Sequence, residues 1–408
     1  MKNAILGLFA ALLAGCAGLQ EAGTTGGFSQ QRLDAMSAQV KADVARGRIP
    51  GAVLLLSRNG QVGHFEAIGV RDPTTGAPLQ RDDIFRIYSM TKPIVSVGVM
   101  ILAEEGKLVI GDPVAKYLPE LKGLRVGVEK RDAAGKPVLE TVAATRQPTI
   151  QDLLRHTSGL TYGVFGKSMV KDRYNAVDAL GRNQTNAEMI AKLGKLPLAL
   201  QPGTAWEYSM STDVLGALIE RVSGQALGAF LQARILGPLG MKDTAFSVPA
   251  QHHGRIAEAF AVDPDTKAKV SLYDVRQPPR FESGGGGLVS TAEDYLRFAQ
   301  MLLNGGELGG ARILSKQTVD YMTADHLGGI RGPTAGYGFG LGFTVRLADG
   351  VADTPGSKGD YNWGGLGGTY FWIDPKEKLV AIWMMQAPGP RGYYRAFYRT
   401  TTYGALRP

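Results

Sequence analysis

The stretch "FRIYSMTKPIVSVGVMILAEEGKL", residues 85–108, combines a serine, a lysine three positions later and a long apolar run that ends near Gly106. This run predicts a buried helix, and Pro93 is compatible with its first turn, where backbone N–H groups have no intrahelical partner. Because residues three apart share one helix face, Ser89 and Lys92 are expected side by side at the N-terminal end of the helix.

This serine–lysine pair has two interpretations on the segment alone. Serine is a weak nucleophile until a neighbour takes its proton, and a lysine with a destabilised ammonium can do so. The alternative is a capped core helix whose lysine extends its charge to solvent. The same spacing recurs at Ser168 and Lys171, but in polar sequence with no apolar helix behind it, which predicts a solvated loop.

Composition narrows the class of protein. The 408 residues are 44% hydrophobic and 20% charged, which is typical of a soluble globular chain. The formal net charge of +8 comes from scattered lysines and arginines, so it indicates a basic surface and no nucleic-acid partner. The single cysteine excludes an intramolecular disulfide, no metal-ligand spacing occurs, and no cofactor is expected.

The N-terminus resembles a bacterial lipoprotein signal. Lys2 precedes an apolar stretch too short to span a bilayer, and Leu13-Ala14-Gly15-Cys16 resembles the lipobox, whose cysteine becomes lipidated. We therefore expect a signal peptide over 1–15, a flexible tether over 16–27 and a cell-envelope protein held on the periplasmic side. Its only membrane contact would be the lipid on Cys16. The alternative is an ordinary signal peptide with a chance cysteine.

The pattern along the chain predicts an α+β protein. A helix is expected over 29–46, a β-hairpin around Asn59-Gly60, and further strands within 337–347, 368–375 and 379–386 before a final helix from about Tyr393. Strands from both ends would form one antiparallel sheet flanked by helices, in a domain of residues 28–108 and 283–408. Residues 109–282 would form a mostly helical inserted domain with few strands, and a site is expected in the cleft between the two.

Two further motifs follow Ser89-x-x-Lys92 in order: Tyr208-Ser209 ahead of a predicted helix, and Trp363-Gly364-Gly365 at the start of a strand. Together with "LLRHTSGL" (153–160), "SGGGGLVST" (283–291) and "GYGFGLGF" (336–343), they resemble the serine β-lactamase and penicillin-binding-protein superfamily. Within it the chain looks like the family VIII carboxylesterases, which are similar to class C β-lactamases. The resemblance runs from about residue 28 to the C-terminus and implies a β-lactamase/transpeptidase-like fold.

The resemblance also implies roles for individual residues. Ser89 would be the acylated nucleophile, Lys92 would share its proton, and Tyr208 would act as general base and then as acid to the leaving group. The backbone N–H groups of Ser89 and Leu366 would form the oxyanion hole. The residues expected to bind substrate are Trp363, Gly364, Gly365 and Met210, with a core or rim position as the alternative for Trp363.

The chain departs from the β-lactamase pattern at two positions. Met210 stands where that pattern has Asn, and Trp363-Gly364-Gly365 replaces Lys-Thr-Gly. Each lost charge-assisted contact would cost recognition of a β-lactam roughly 1.5–3 kcal/mol. We therefore expect a serine carboxylesterase acting on short-chain acyl or aryl esters, with weak β-lactam hydrolysis at most. The alternatives are a β-lactamase or D-amino-acid peptidase of the class C type, and a non-catalytic penicillin-recognising protein.

Overall fold

The computed structural model describes residues 24–407, so the predicted signal peptide and Cys16 lie outside the described residues. The helices are α1 Gln30–Ala45, α2 Thr91–Glu104, α3 Ile150–Leu154, α4 Met169–Ala176, α5 Asn186–Leu193, α6 Ser211–Ser223, α7 Leu227–Leu231, α8 Ala292–Leu303, α9 Lys316–Met322 and α10 Arg391–Ala405. The strands are β1 Thr24–Thr25, β2 Phe28–Ser29, β3 Gly51–Arg58, β4 Gln61–Asp72, β5 Ala77–Pro78, β6 Phe85–Arg86, β7 Arg125–Arg131, β8 Pro137–Ala143, β9 Val289–Ser290, β10 Glu307–Leu308, β11 Ala311–Arg312, β12 Tyr337–Phe339, β13 Thr344–Arg346, β14 Tyr361–Gly364, β15 Tyr370–Asp374 and β16 Leu379–Met385.

One eight-stranded antiparallel sheet joins the two ends of the chain, in the order β12-β13-β14-β15-β16-β3-β4-β5. Strands β16 and β3 pair from Leu379 opposite Arg58 to Met385 opposite Ala52. The β3–β4 hairpin turns at Asn59 and Gly60, both at positive φ, as the Asn-Gly pair predicts. The expected antiparallel sheet built from both ends of the chain is therefore confirmed.

Both faces of this sheet are covered, which explains why β3 is an uninterrupted apolar run. Val53 and Leu55 face the core that contains α2 and α8. Ala52, Leu54 and Leu56 point the other way, toward α1 and α10. Because successive strand residues alternate between faces, a strand buried on both sides needs an apolar residue at every position.

Helix α10 is fixed against the sheet by a buried ion cluster and a hydrogen bond. Arg399 and Arg346 both donate to the carboxylate of Asp360, and all three side chains are at most 1% exposed. The hydroxyl of Tyr398 donates to the carbonyl of Leu55 over 3.0 Å. These contacts hold the helix against one face of the sheet, between β3 and the residue that precedes β14.

The middle of the chain differs in part from its expectation. Helices α3 to α7 are present, and α2 packs against α6 and α7. However, β7 and β8 form a seven-pair hairpin there, from Arg125 opposite Ala143 to Arg131 opposite Pro137. Eight of its 14 residues are exposed, five are charged and only Val126 is buried, so the apolar pattern that marks a half-buried strand is interrupted.

The N-terminal end of the described chain also differs from its expectation. Thr24 and Thr25, in the segment predicted as a flexible tether, pair with Ser29 and Phe28 as strands β1 and β2. Two residues are too few for a periodic signal, so composition favoured a tether here. Among residues 24–407 no single helix is long and apolar enough to cross a membrane. Helix α6 and the segment 227–236 are long and apolar enough only when taken together, and the two are bent by 78° relative to each other.

Candidate active site

Ser89 lies in a tight helical turn, Tyr88–Met90, directly before α2. The residue before it, Tyr88, has φ +44, a left-handed conformation that is unfavourable for a side chain of this size. The turn is held from outside, because the carbonyl of Met90 accepts a 2.9 Å hydrogen bond from Tyr295 and the ring of Tyr88 packs edge-on against Tyr273. Strain that is held in this way is characteristic of functional positions.

Three side chains from separate parts of the chain meet at the Ser89 oxygen. The Lys92 ammonium donates to Ser89 Oγ over 3.2 Å, one helical turn further along. The Tyr208 hydroxyl, which comes from the segment before α6, donates to the same oxygen over 2.6 Å. The structure therefore brings together the serine, lysine and tyrosine that the sequence singled out.

Lys92 is almost completely enclosed, with 1% of its surface exposed. Its ammonium donates to the carbonyl of Gly285 over 2.6 Å. It also lies 4.6 Å from the ring centre of Tyr208 and 5.4 Å from that of Tyr162, within the range of cation–π attraction. A carbonyl and two aromatic faces thus hold this cation beside Ser89 Oγ.

Asp213 supports this arrangement and was not identified from the sequence. Its buried carboxylate accepts hydrogen bonds from the Gly285 amide over 3.0 Å and from the Ser283 hydroxyl over 2.5 Å. It therefore fixes the peptide segment whose carbonyl meets Lys92. A Cβ on Gly285 would lie 2.3 Å from Asp213, which explains a glycine at this point of "SGGGGLVST". The sequence signal that could have identified Asp213 is its position as an acidic residue in the first turn of the apolar helix α6.

Two further side chains surround Tyr208. His156 is buried, its Nδ1 lies 3.1 Å from Ser209 Oγ, and its ring centre lies 5.1 Å from that of Tyr208. Burial, aided by the positive charge of Lys92, lowers the pKa of His156 well below its usual range, so the ring is neutral. Burial and the neighbouring Asp213 raise the pKa of Tyr162 well above its usual value, so this phenol stays protonated and donates to Asp213.

The two backbone N–H groups expected to form the oxyanion hole have no acceptor within residues 24–407. Leu366 follows Gly365, whose amide donates to the carbonyl of Thr369 and closes a tight turn. A Cβ on Gly365 would lie 2.4 Å from the carbonyl oxygen of Ile87, two residues before Ser89. This close contact sets the Leu366 turn directly beside the Ser89 turn.

Ser89, Phe165, Tyr208 and Leu366 border two cavities. The larger, about 410 Å³, is also lined by Trp206, Trp363 and Gly364 and by residues of the first turns of α10. The smaller, about 250 Å³, is lined mainly by aromatic and apolar side chains: Tyr88, Tyr162, Val164, Leu180, Tyr273 and Phe281. A bound ester therefore has space on both sides of the serine. Trp363, which was expected to bind substrate, borders the larger cavity.

Two expected substrate-binding residues lie elsewhere. Met210 is fully buried in the main core and caps the start of α6, so it borders neither cavity. The chain turns into the helix immediately after Tyr208-Ser209, and this turn points the thioether inward. Gly365 is also buried, behind the turn that presents Leu366. The spacing of residues in the sequence does not predict in which direction a side chain points after such a turn.

The second serine–lysine pair is structural. Ser168 Oγ accepts a hydrogen bond from the amide of Lys171 and so caps α4. The Lys171 ammonium pairs with Glu207 over 3.0 Å. Ser168 therefore caps a helix, whereas a solvated loop was expected at this position.

Comparison with known proteins matches these features. The family model described as "Beta-lactamase" matches residues 36–401. Protein Rv1367c of Mycobacterium tuberculosis is 37% identical over 371 residues, covering 87% of this chain and 90% of that protein. Esterase EstB of Burkholderia gladioli is 33% identical over 365 residues, covering 84% and 86%.

A solved structure extends the likeness to the whole fold. EstCE1, described as a hydrolase with promiscuous acyltransferase activity, superposes with a TM-score of 0.75 at 26% identity, covering 92% of this chain and 99% of that one. The expected β-lactamase/transpeptidase-like fold is thereby confirmed. The chain therefore belongs to the β-lactamase family, as a serine hydrolase of its family VIII carboxylesterase branch.

Proposed function

We propose that this protein hydrolyses short-chain acyl or aryl esters through an acyl-enzyme on Ser89, with Lys92 and Tyr208 completing a catalytic triad. The observation that carries this proposal is the convergence of the lysine ammonium and the tyrosine hydroxyl on one serine oxygen between two cavities. Esterase EstB and EstCE1 support the choice of an ester as substrate, since the first is named an esterase and the second is described as a hydrolase.

The mechanism follows from the contacts of the serine oxygen. As Ser89 Oγ attacks the ester carbonyl, its proton passes to the Lys92–Tyr208 pair, which in the reacting form carries one proton fewer than an ammonium and a neutral phenol together. The carbonyl oxygen becomes an alkoxide facing the amides of Ser89 and Leu366. Collapse of this intermediate breaks the bond to the alcohol, which takes its proton from Tyr208. Water then attacks the acyl-enzyme, with the same pair accepting and returning a proton. The amine and the phenol both contact the serine oxygen directly, so the first acceptor is assigned to the pair.

The surroundings of the nucleophile favour esters over β-lactams. Position 210, where β-lactamases carry the asparagine that grips the substrate amide, holds a methionine that lies in the core. Trp363 stands where the β-lactamase pattern has a lysine, and its ring lies 5.4 Å from that of Tyr208. The wall of the larger cavity is therefore aromatic at this point and suits a neutral ester.

A side-by-side substrate panel tests this ranking. We expect kcat/KM for p-nitrophenyl acetate and butyrate to exceed that for nitrocefin by at least about 100-fold, since two missing charge-assisted contacts together correspond to that factor or more. Both assays are followed by absorbance, with heat-denatured protein as the blank. Nitrocefin turnover equal to ester turnover would instead favour the β-lactamase alternative. No turnover in either assay, with no fluorophosphonate labelling, would favour the non-catalytic one.

We also propose that Cys16 is lipidated and holds the enzyme at the envelope membrane. The support is the sequence Leu13-Ala14-Gly15-Cys16, which places the only cysteine of the chain where a lipobox requires it. We expect the full-length protein to fractionate with membranes and the Cys16→Ala variant to be released or to remain unprocessed. Metabolic labelling with an alkynyl fatty acid measures the lipid directly, and equal labelling of the two proteins would contradict the proposal.

A further inference from the structure

Arg395, on the first turns of α10, borders the larger cavity and has an unusual set of partners. Its Nη2 donates to the carbonyl of Gly365 over 2.7 Å and lies 3.5 Å from that of Thr369. Its Nε is buried without a hydrogen-bond partner among residues 24–407. No carboxylate in the described part of the chain compensates its charge, and burial lowers the pKa of this guanidinium. An arginine held in this way is costly to the fold.

The acceptor of this arginine belongs to the proposed oxyanion hole. The carbonyl of Gly365 and the N–H of Leu366 are two ends of one peptide group, which is planar and rigid. A hydrogen bond to the carbonyl therefore also sets the direction of the N–H on the other side. The other donor to this carbonyl in the described chain is the amide of Gly368, at the longer distance of 3.3 Å.

The surrounding structure is built to keep the guanidinium in this place. A Cβ on Gly364 would lie 2.5 Å from Arg395 Cζ, so only glycine leaves room for the guanidinium against the end of β14. One turn further along α10, Arg399 is bound to Asp360 and fixes the helix on the sheet. The Arg395 guanidinium is thus held between a fixed helix and a strand end with no side chain.

We propose that Arg395 is a positioning residue for the oxyanion hole: it orients and polarises the peptide group 365–366 so that the Leu366 N–H points at the developing alkoxide. This inference rests on the proposed Ser89 acyl-enzyme mechanism. Donation from a cation to the carbonyl draws electron density from the peptide and makes its N–H a stronger donor. The gain is greatest in the transition state, when the oxygen of the substrate carries negative charge.

The test compares Arg395→Met with Arg131→Met. Arg131 also donates from its guanidinium to a backbone carbonyl, that of Gly135 over 2.7 Å, but it lies at the end of β7 and borders neither cavity. For p-nitrophenyl butyrate we expect Arg395→Met to lower kcat about 10- to 100-fold, less than the loss of a whole oxyanion donor, with KM changed less than about threefold. Arg131→Met is expected to stay within about threefold of the wild type in both constants. Equal losses in the two variants would show that the loss of any arginine bound to a backbone carbonyl lowers turnover, and would overturn the proposal.

A transition-state readout separates positioning from a general structural defect. Addition of Ser89 to an alkyl trifluoromethyl ketone gives an alkoxide in the oxyanion hole, whereas butan-1-ol binds without one. We expect Arg395→Met to weaken inhibition by the ketone about as much as it lowers kcat, with inhibition by butan-1-ol nearly unchanged. A second variant, Gly364→Ala, should displace the same guanidinium, lower kcat similarly, and add little to Arg395→Met in the double variant.

These outcomes distinguish the failure of this inference from the failure of the proposed function. A wild-type protein that neither turns over esters nor reacts with a fluorophosphonate would overturn both. An active, labelled wild type together with an Arg395→Met variant of unchanged kcat and ketone affinity would overturn the positioning role alone. Fully additive losses in the double variant would also contradict it, because two independent defects were then introduced.

Discussion

Replacing Ser89 with alanine is expected to lower kcat for p-nitrophenyl butyrate by at least about 10⁴-fold, because the oxygen that both Lys92 and Tyr208 contact is removed. The backbone should be unaffected, since Ser89 Oγ makes no other hydrogen bond in the described structure. Thermal unfolding of the variant and its loss of fluorophosphonate labelling are measured together with turnover.

The chain supplies its own control in Ser168, which has the same spacing to a lysine but caps α4. Ser168→Ala should keep full turnover and lose about 1 kcal/mol of unfolding free energy, the usual contribution of an N-cap. If Ser89→Ala retained more than a few per cent of activity while Ser168→Ala lost it, the assignment of the nucleophile would be wrong.

Tyr208→Phe is expected to give the second largest loss, about 10²- to 10⁴-fold in kcat. The substitution removes only the hydroxyl that lies 2.6 Å from Ser89 Oγ, while the ring keeps its packing against Trp206, Trp363 and Lys92. KM should therefore change little. Burst kinetics with a p-nitrophenyl ester would show whether formation of the acyl-enzyme, its hydrolysis or both are slowed.

Tyr162→Phe is the matched control for this variant. Its ring also faces Lys92, but its hydroxyl donates to Asp213 and not to the serine. We expect a loss below about tenfold, caused by a less firmly held Asp213. A Tyr162→Phe defect as large as that of Tyr208→Phe would mean that the phenol at 208 has no special role in proton transfer.

Much of the fold could be predicted because its elements carry strong local signals. The α2 helix and β16 each carry a continuous apolar run, and the Asn59-Gly60 hairpin carries a turn pair; both signals depend only on adjacent residues. The β7–β8 hairpin carries a weaker signal, because most of its residues are exposed and charged side chains interrupt its apolar ones. The sequence predicted only that strands from both ends of the chain share one sheet, not that β3 pairs with β16. The paired residues Arg58 and Leu379 are separated by 320 residues, so no local signal marks their contact.

The residues of the candidate site also fall into those that the sequence indicated and those that it did not. The sequence singled out Ser89, Lys92 and Tyr208 because their side-chain types and the motifs around them indicate the chemistry, and the structure brings the three side chains into contact. Asp213 and Arg395 were not singled out, since each acts through a backbone carbonyl or amide of a distant glycine segment, and no residue type marks such a partner. Met210 was misplaced because the direction of a side chain at the start of a helix depends on how the helix packs.

By itself the sequence determined which functional groups the protein possesses, and that a hydroxyl and an amine share the first turn of a buried helix, because helix periodicity is a local property of the chain. Only the tertiary structure decided that a phenol 119 residues away reaches the same oxygen and that an arginine holds the peptide facing it. Those contacts depend on long-range packing of α6, β14 and α10 around one sheet, and small differences in packing direction move a side chain from the cavity into the core.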